Sequence, residues 1–551
     1  MENKTKLKVR RSLIELQREY ESKTNKKPLE DLMRAWKGIK ELPPDDLKSF
    51  FKLGGFHGEP FRGAGWGMGS NFYWGGYCNH GNVLFPTWHR LYLLKLEEAL
   101  QSIKGCEDVM MPYWDETDEY SIKNGIPWVL THEFFELDGA KIPNPLRSFV
   151  FPKNITDHIS GDNPNYSKPR GYETVRYPLS GIVGNQKEID ITKAHNALFP
   201  NYEENVKILN KNVLDWLNSH IVVKGQRIET NVVQKYKDCL NAPNFTVFSN
   251  TTSAAEWNAE RQTIDPNTGL PIKDDPYKVV VPLESPHNSI HLAVGGCEVP
   301  GYNRSPISGA NGDMGENDTA GLDPIFYFHH CNVDRVFWLW QKKHGFTDRL
   351  EIIEEYPGTN TVDSQGPTPG IAPNAWLTLE TPLNPFKKVE NGTERTYTSL
   401  DCINIETQLG HTYGPGSLDE LAEPRFLKQE KPAYDSKVIK ISRINKAPIS
   451  GSFTVSAFVT VGGEKLLLGT EAILSRWNSQ YCSNCQTHLE VKAFFKLPLI
   501  EGKMLQSLND TNYGNVEIEV SGHDGLLAGS HNSKLLRSDG KPAVGFHMEI
   551  V

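Results

Sequence analysis

The chain has 551 residues, 38% of them hydrophobic, enough apolar side chain for one large core or two domains. A formal net charge of −9 with no long basic run argues against nucleic acid as a partner and says little beyond solubility. No apolar stretch near the start has the length of a signal peptide, and no run reads as a membrane span, so the expectation is a cytoplasmic or intracellular protein without a membrane partner. Eight mostly scattered cysteines give no disulfide framework.

Taken in order, residues 12–17, 28–41 and 46–53 read as helices, the third ended by His57. A Gly/aromatic loop, 72–80, carries Cys78 and His80, and a strongly helical segment opens at Trp88-His89. Residues 130–280 are rich in Asn, Pro and polar side chains. They read as long surface excursions with an amphipathic helix near 204–218. Then comes Glu284-Ser285-Pro286-His287-Asn288-Ser289-Ile290-His291, where i, i+4 spacing sets both rings on one helical face. The stretch 301–321 is Gly-rich and lacks periodicity, so it reads as a loop. The apolar run Ile325 to Phe328 leads into His329-His330 and continues through Val333, Val336, Phe337 and Leu339 as a buried helix. Composition changes at Pro415, where a charged, Pro-bearing linker begins. Period-2 runs follow at 438–441, 453–459, 489–494 and 516–520, the pattern of an antiparallel β-sandwich. The expected fold class is a mainly α catalytic domain, a helical bundle with long loops, plus a C-terminal all-β sandwich. The expected boundaries are 1–415, a linker at 416–435, and 436–551.

The histidines fall into two sets, His57/His80/His89 and His287/His291 with the His329-His330 pair. One histidine alone is most simply a satisfied core residue. Three facing a buried interior, repeated elsewhere in the chain, read as metal ligands. Each set offers three neutral nitrogens and leaves open positions, and no carboxylate stands among them in a ligand pattern. All-nitrogen sites suit copper or zinc, and two copies suggest a pair of ions about 3.5–4 Å apart. Near the C-terminus, Cys482-x-x-Cys485 is open to several readings: a redox pair, a soft copper(I) site, a local disulfide or inert thiols.

The run His80-x4-Phe85-Pro86-Thr87-Trp88-His89-Arg90-x2-Leu93-x3-Glu97 resembles the first copper-binding signature of tyrosinases. The run Asp323-Pro324-Ile325-Phe326-Tyr327-x2-His330-x3-Asp334 resembles the second. The resemblance covers roughly residues 1–415, and Pro112-Tyr113-Trp114-Asp115 adds to it. It implies a coupled binuclear copper centre using O2. His57, His80 and His89 would hold one copper, and His287, His291 and His330 the other, with His329 behind them. Cys78 would be cross-linked through sulfur to His80. Glu284 and Asn288 would help take the proton from a phenol, against a plainer reading as a helix cap and a polar residue. Leu292 would touch the substrate ring. Glu97, Asp334 and Arg335 would be structural, and Tyr413 would bond back to Arg10 or Arg11. The β-domain resembles the cover of latent tyrosinases, with Leu474, Trp477 or Tyr481 as the plug and Cys482/Cys485 as a copper relay. The implied activity is ortho-hydroxylation of monophenols and oxidation of o-diphenols to o-quinones. The implied partners are small phenols, a copper donor and an activating protease. The rivals are a catechol or o-aminophenol oxidase and a haemocyanin-like oxygen carrier.

Overall fold

The computed structural model describes residues 7–58, 76–155, 168–182, 186–223, 225–263, 265, 267–268, 272–273, 279–302, 307–361, 368, 370–423, 437–461, 463–477, 479, 482, 484–497, 499–500, 503–504, 516–523, 525–529 and 544–551. The Ile325–His344 helix runs through the middle of the helical part and is buried on every side from Ile325 to Gln341. A helix buried on every side, its polar side chains included, is a core helix whose polar groups need partners inside the protein. It ends at Gly345, whose φ of 71° lets its amide reach the carbonyls of Gln341 and Lys342. Trp36, from the Lys27–Glu41 helix, stacks on Phe328 at 5.8 Å between ring centroids and meets Phe50 edge-on at 5.2 Å. The Tyr92 hydroxyl, on the Phe85–Gln101 helix, lies 2.7 Å from that of Tyr327 and donates to the Leu53 carbonyl. These contacts fix the helices that carry the histidines.

The N-terminus closes this bundle. Lys8–Arg10 pairs in parallel with His411–Tyr413. Arg10 gives two bonds of 3.1 Å to Glu97, one of 3.2 Å to Asp334 and one of 2.9 Å to the Tyr413 hydroxyl. Arg90 donates to the other Asp334 oxygen at 2.6 Å. So Arg10, not Arg11, meets Tyr413, and Arg11 turns to Glu15 and Glu19. Glu97 and Asp334 bind arginines rather than orienting a histidine.

Two expectations need correction. The third helix is Phe50–Gly58 and not 46–53, and His57 stands at its end as expected. Residues 130–280 are not mainly surface excursions. They hold helices at Gln186–Asn196, Tyr202–Asn218, Val232–Cys239, Phe245–Ser249 and Thr251–Arg261, with Trp216, Tyr236 and Phe248 in the core. Asn201, Asn231, Asn244 and Asn250 each accept a bond from an amide three residues on. They are helix N-caps, a role that shares its composition with loops.

From Val438 on the described chain is mainly β-structure, and the expected fold class is the one it adopts. Among the described residues, one sheet runs Glu464–Ile473, Phe453–Val461, Val516–Gly522, Gly525–Gly529, and another runs Glu490–Lys496, Val438–Asn445, His547–Ile550. Val455, Ala457 and Val459 alternate inward against Ile439, Ile441 and Phe495 to make the core of the sandwich. Phe458 and Leu467, from the first sheet, join the helical core instead, as do Ala472, Leu474 and Trp477. The sandwich is therefore packed against the helices. Among the described residues no helix is long and apolar enough to cross a membrane.

Candidate metal centre

His57 stands where the Phe50–Gly58 helix lies directly on the loop before Ile325. A Cβ on Gly58 would meet the Asp318 carbonyl oxygen at 1.9 Å, and one on Gly54 would meet the Gly321 oxygen at 2.6 Å. That approach brings the Asn317 carbonyl within 3.1 Å of His57 Nδ1. The same device serves His291. Gly295, at the end of the Glu284–Gly295 helix, would clash with the Gly315 amide at 2.0 Å if it carried a Cβ. The Met314 carbonyl is thereby held 2.8 Å from His291 Nδ1. The stretch read as a formless loop thus supplies two backbone acceptors, partly from short helical turns at Asp313–Gly315 and Ala320–Leu322.

His89 Nδ1 lies 2.8 Å from the Phe85 carbonyl and His287 Nδ1 2.9 Å from Asn288 Oδ1. Carbonyl oxygens only accept, so these four rings carry their proton on Nδ1 and keep a lone pair on Nε2. Among the described residues nothing donates to Nε2 of His57 or His89, and neither ring nitrogen of His80 has a partner. In the second set, His330 Nε2 lies 3.1 Å from His287 Nε2 and 3.2 Å from His291 Nε2. A proton on His330 could satisfy only one of those two lone pairs, whereas a cation among them satisfies all three. The two sets face each other, with His89 stacked on His330 at 4.5 Å between centroids and His80 at 5.3 Å from His287. Burial pushes all six imidazoles down in pKa, His89 to about 3, so they stand neutral, as metal ligands must. Donor set, tautomers and burial fit a pair of copper ions.

His329 donates from Nδ1 to Glu116 at 2.6 Å, and one ring nitrogen lies within 4.8 Å of donor atoms of His287, His291 and His330. Glu116 also receives the Tyr236 hydroxyl and Asn332 Nδ2. Sequence reading missed Glu116, although it directly follows Pro112-Tyr113-Trp114-Asp115. Cys78 Sγ lies within 4.8 Å of donor atoms of His57 and His80. Glu284 is buried and accepts from the Gly81 amide at 2.8 Å and from the Thr251 amide and hydroxyl at 2.8 and 2.9 Å. Burial pushes its carboxyl up in pKa.

A cavity beside these groups is lined by His80, Glu284 and Asn288 from the helical part, and by Lys446, Leu474 and His488 from the β part. Leu474 therefore reaches the cavity. Trp477 packs on His523 instead, and Tyr481 lies outside the described residues. Leu292 is fully buried and does not line this cavity. Of the readings open for Cys482-x-x-Cys485, the structure takes the local disulfide. Asn484, between them, donates to the His80 carbonyl at 2.6 Å. Arg476 donates to Asp318 at 2.7 Å and to Cys78 Sγ at 3.1 Å. None of these cross-contacts was legible in the sequence, because each joins residues more than a hundred positions apart.

A family profile for the common central domain of tyrosinase matches residues 47–343. The chain belongs to the tyrosinase family. It is 52% identical over 523 residues to tyrosinase HcTyr2 of a Hahella species, spanning 92% of this chain and 91% of that one. It is 46% identical over 491 residues to a tyrosinase of Aspergillus oryzae, covering 87% of each. A solved tyrosinase from Burkholderia thailandensis superposes with a TM-score of 0.78 at 49% identity, covering 99% of this chain and all of that one. An Aspergillus oryzae apo-protyrosinase shares the fold, with a TM-score of 0.64 at 18% identity over 100% of this chain and 93% of that one. The chain is a tyrosinase-type copper oxidase whose cofactor is two copper ions, and small phenols are its substrates.

Proposed function

We propose that the chain hydroxylates monophenols as well as oxidising o-diphenols, and that it is made latent, with residues 436–551 covering a catalytic unit of residues 1–415. The observation behind this is the shared cavity, in which Leu474 of the β part stands with His80, Glu284 and Asn288. His57, His80 and His89 would hold one copper ion, and His287, His291 and His330 the other. When bound, that pair supplies the oxygen chemistry. The protein supplies the rest. Asn288 fixes the His287 tautomer through its amide oxygen. A phenol gives up its proton with a pKa of about 10, so it needs a base. Of the carboxylates that line the cavity, Glu284 stands on the helix of His287 and His291, and its raised pKa makes it a better acceptor than an exposed one. Behind the second set, Glu116 holds His329 against the ligand rings. Cys78 would bond through sulfur to the His80 ring and lock it. An activating protease would cut within 416–435, and a copper donor would load the site, with Cys482 and Cys485 as the relay once reduced.

The test is quinone formation from tyrosine and from catechol, before and after limited proteolysis, with copper measured on the same sample. Tyrosine turnover appearing after trimming supports the reading. Equal rates before and after overturn the latency. Catechol turnover alone would make the chain a diphenol oxidase and leave Glu284 a structural clasp between Gly81 and Thr251. Asn288→Ala separates the steps further: tyrosine hydroxylation should fall by more than catechol oxidation. For the thioether, the peptide bearing Cys78 and His80 should lack a pair of hydrogens and resist alkylation.

A further inference from the structure

The cavity beside the histidines holds a primary amine that the oxidation chemistry does not use. Lys446 follows the Val438–Asn445 strand and is buried, 4% exposed, yet lines the cavity with Glu284 and His80. Its Nζ takes part in no hydrogen bond among the described residues. The other lysine of the lining, Lys492, is held by Glu256 at 3.0 Å, and nearby Lys235 by Glu471 at 2.6 Å. Burial brings the Lys446 amine down to about 7, so near neutral pH much of it carries a free lone pair. Thiols normally capture quinones first, but no cysteine is among the described residues lining this cavity. The product made next door is an o-quinone, a strong electrophile.

We propose that Lys446 is a site of covalent self-modification by the o-quinone product. Its Nζ adds to a ring carbon conjugated to a quinone carbonyl. The C–N bond forms as the ring accepts two electrons. One proton from the amine and one from the attacked ring carbon end on the two quinone oxygens, and the product is an N-linked aminocatechol. No further oxidant is needed. The adduct occupies the cavity beside Glu284, so each modified chain stops turning over. The residue sits in the β part, so modification is a property of the full chain and is lost when that part is removed. This inference rests on the quinone-forming activity.

The experiment uses the full, copper-loaded chain turning over 4-methylcatechol with glutathione in the solvent. Glutathione traps quinone that escapes, and its conjugate reports how much quinone was made. Peptide mapping should then show the mass of one quinone on Lys446, with exposed lysines unmodified. In parallel, the same quinone prepared with periodate is added to the copper-free chain, and Lys446 should be labelled first. Lys446→Arg keeps the positive charge and removes the nucleophile. It should abolish the label and increase the number of turnovers before inactivation. Ample glutathione conjugate with no label at Lys446, or a label on His488 or spread over surface lysines, overturns the inference. Absence of conjugate means instead that the full chain stayed latent or that the activity failed, and the periodate arm then decides: preferential labelling of Lys446 supports the inference and even labelling overturns it.

Discussion

Gly58 shows how one absent side chain positions a metal ligand. The histidines were legible because their spacing is a property of the sequence itself: i, i+4 in His287 and His291, and the runs around His89 and His330. The groups that orient them were not, because most are backbone carbonyls delivered by chain crossings, as Asn317 is to His57. That crossing exists only because Gly54, Gly58 and Gly321 leave room for it. In Gly58→Ala the new methyl would start 1.9 Å from the Asp318 carbonyl oxygen, so helix and loop must part. Overpacking of this kind costs about 1–3 kcal/mol. The expected outcome is a lower Tm together with copper falling from two ions per chain towards one. Gly545→Ala is the control, since a Cβ there meets nothing within 4 Å. A fully loaded Gly58→Ala chain with unchanged Tm would show that the close approach does not govern His57.

Elements misled where composition has two meanings. Asparagine marks loops and also caps helices, and in residues 130–280 it does the second, so a helical layer reads as surface excursion. The Ser475–His488 region poses the opposite problem. The meaning of its described residues lies in what they touch: Asn317, Asp318, Cys78, His80 and Asn82. The strongest of these contacts is the Arg476–Asp318 pair at 2.7 Å, with side chains only 4% and 5% exposed. Removing one partner of a buried pair strands the other and costs about 3–5 kcal/mol. Arg476→Met should therefore loosen the β part where it meets the histidines. The intact variant should oxidise catechol faster than the intact parent, the two should converge after trimming, and proteolysis within 416–435 should be quicker. Lys465→Met, which removes an exposed bridge to Glu517 and Glu519, should change none of these. If intact Arg476→Met stays as slow as the parent while keeping its copper, the cover is held by other contacts.

At the scale of the whole molecule, periodicity announced both architectures, 3.6 for the buried helices and 2 for the sandwich. It could not say that Phe458 and Leu467 turn the outer face of one sheet onto the helical core. That packing buries Lys446 between the two parts, facing Glu284, which favours its charge, and Arg476, which opposes it. Its folded pKa of about 7 lies below the 10.5 of a free lysine. Below pH 7 folded and unfolded chains both carry the proton, and the folded chain bears the whole cost of a buried ammonium. Between about 7 and 10.5 the unfolded chain still holds a proton that the folded chain has released, so this residue's contribution to stability rises with pH by at most about 1.4 kcal/mol per unit. Above that window both forms are neutral and the cost is gone. Lys446→Met removes the titrating group. The variant should melt above the parent near pH 6, and its advantage should shrink steadily towards pH 10, when both are measured with copper bound. A gap that stays constant or widens with pH would mean that the ammonium is not buried at a cost.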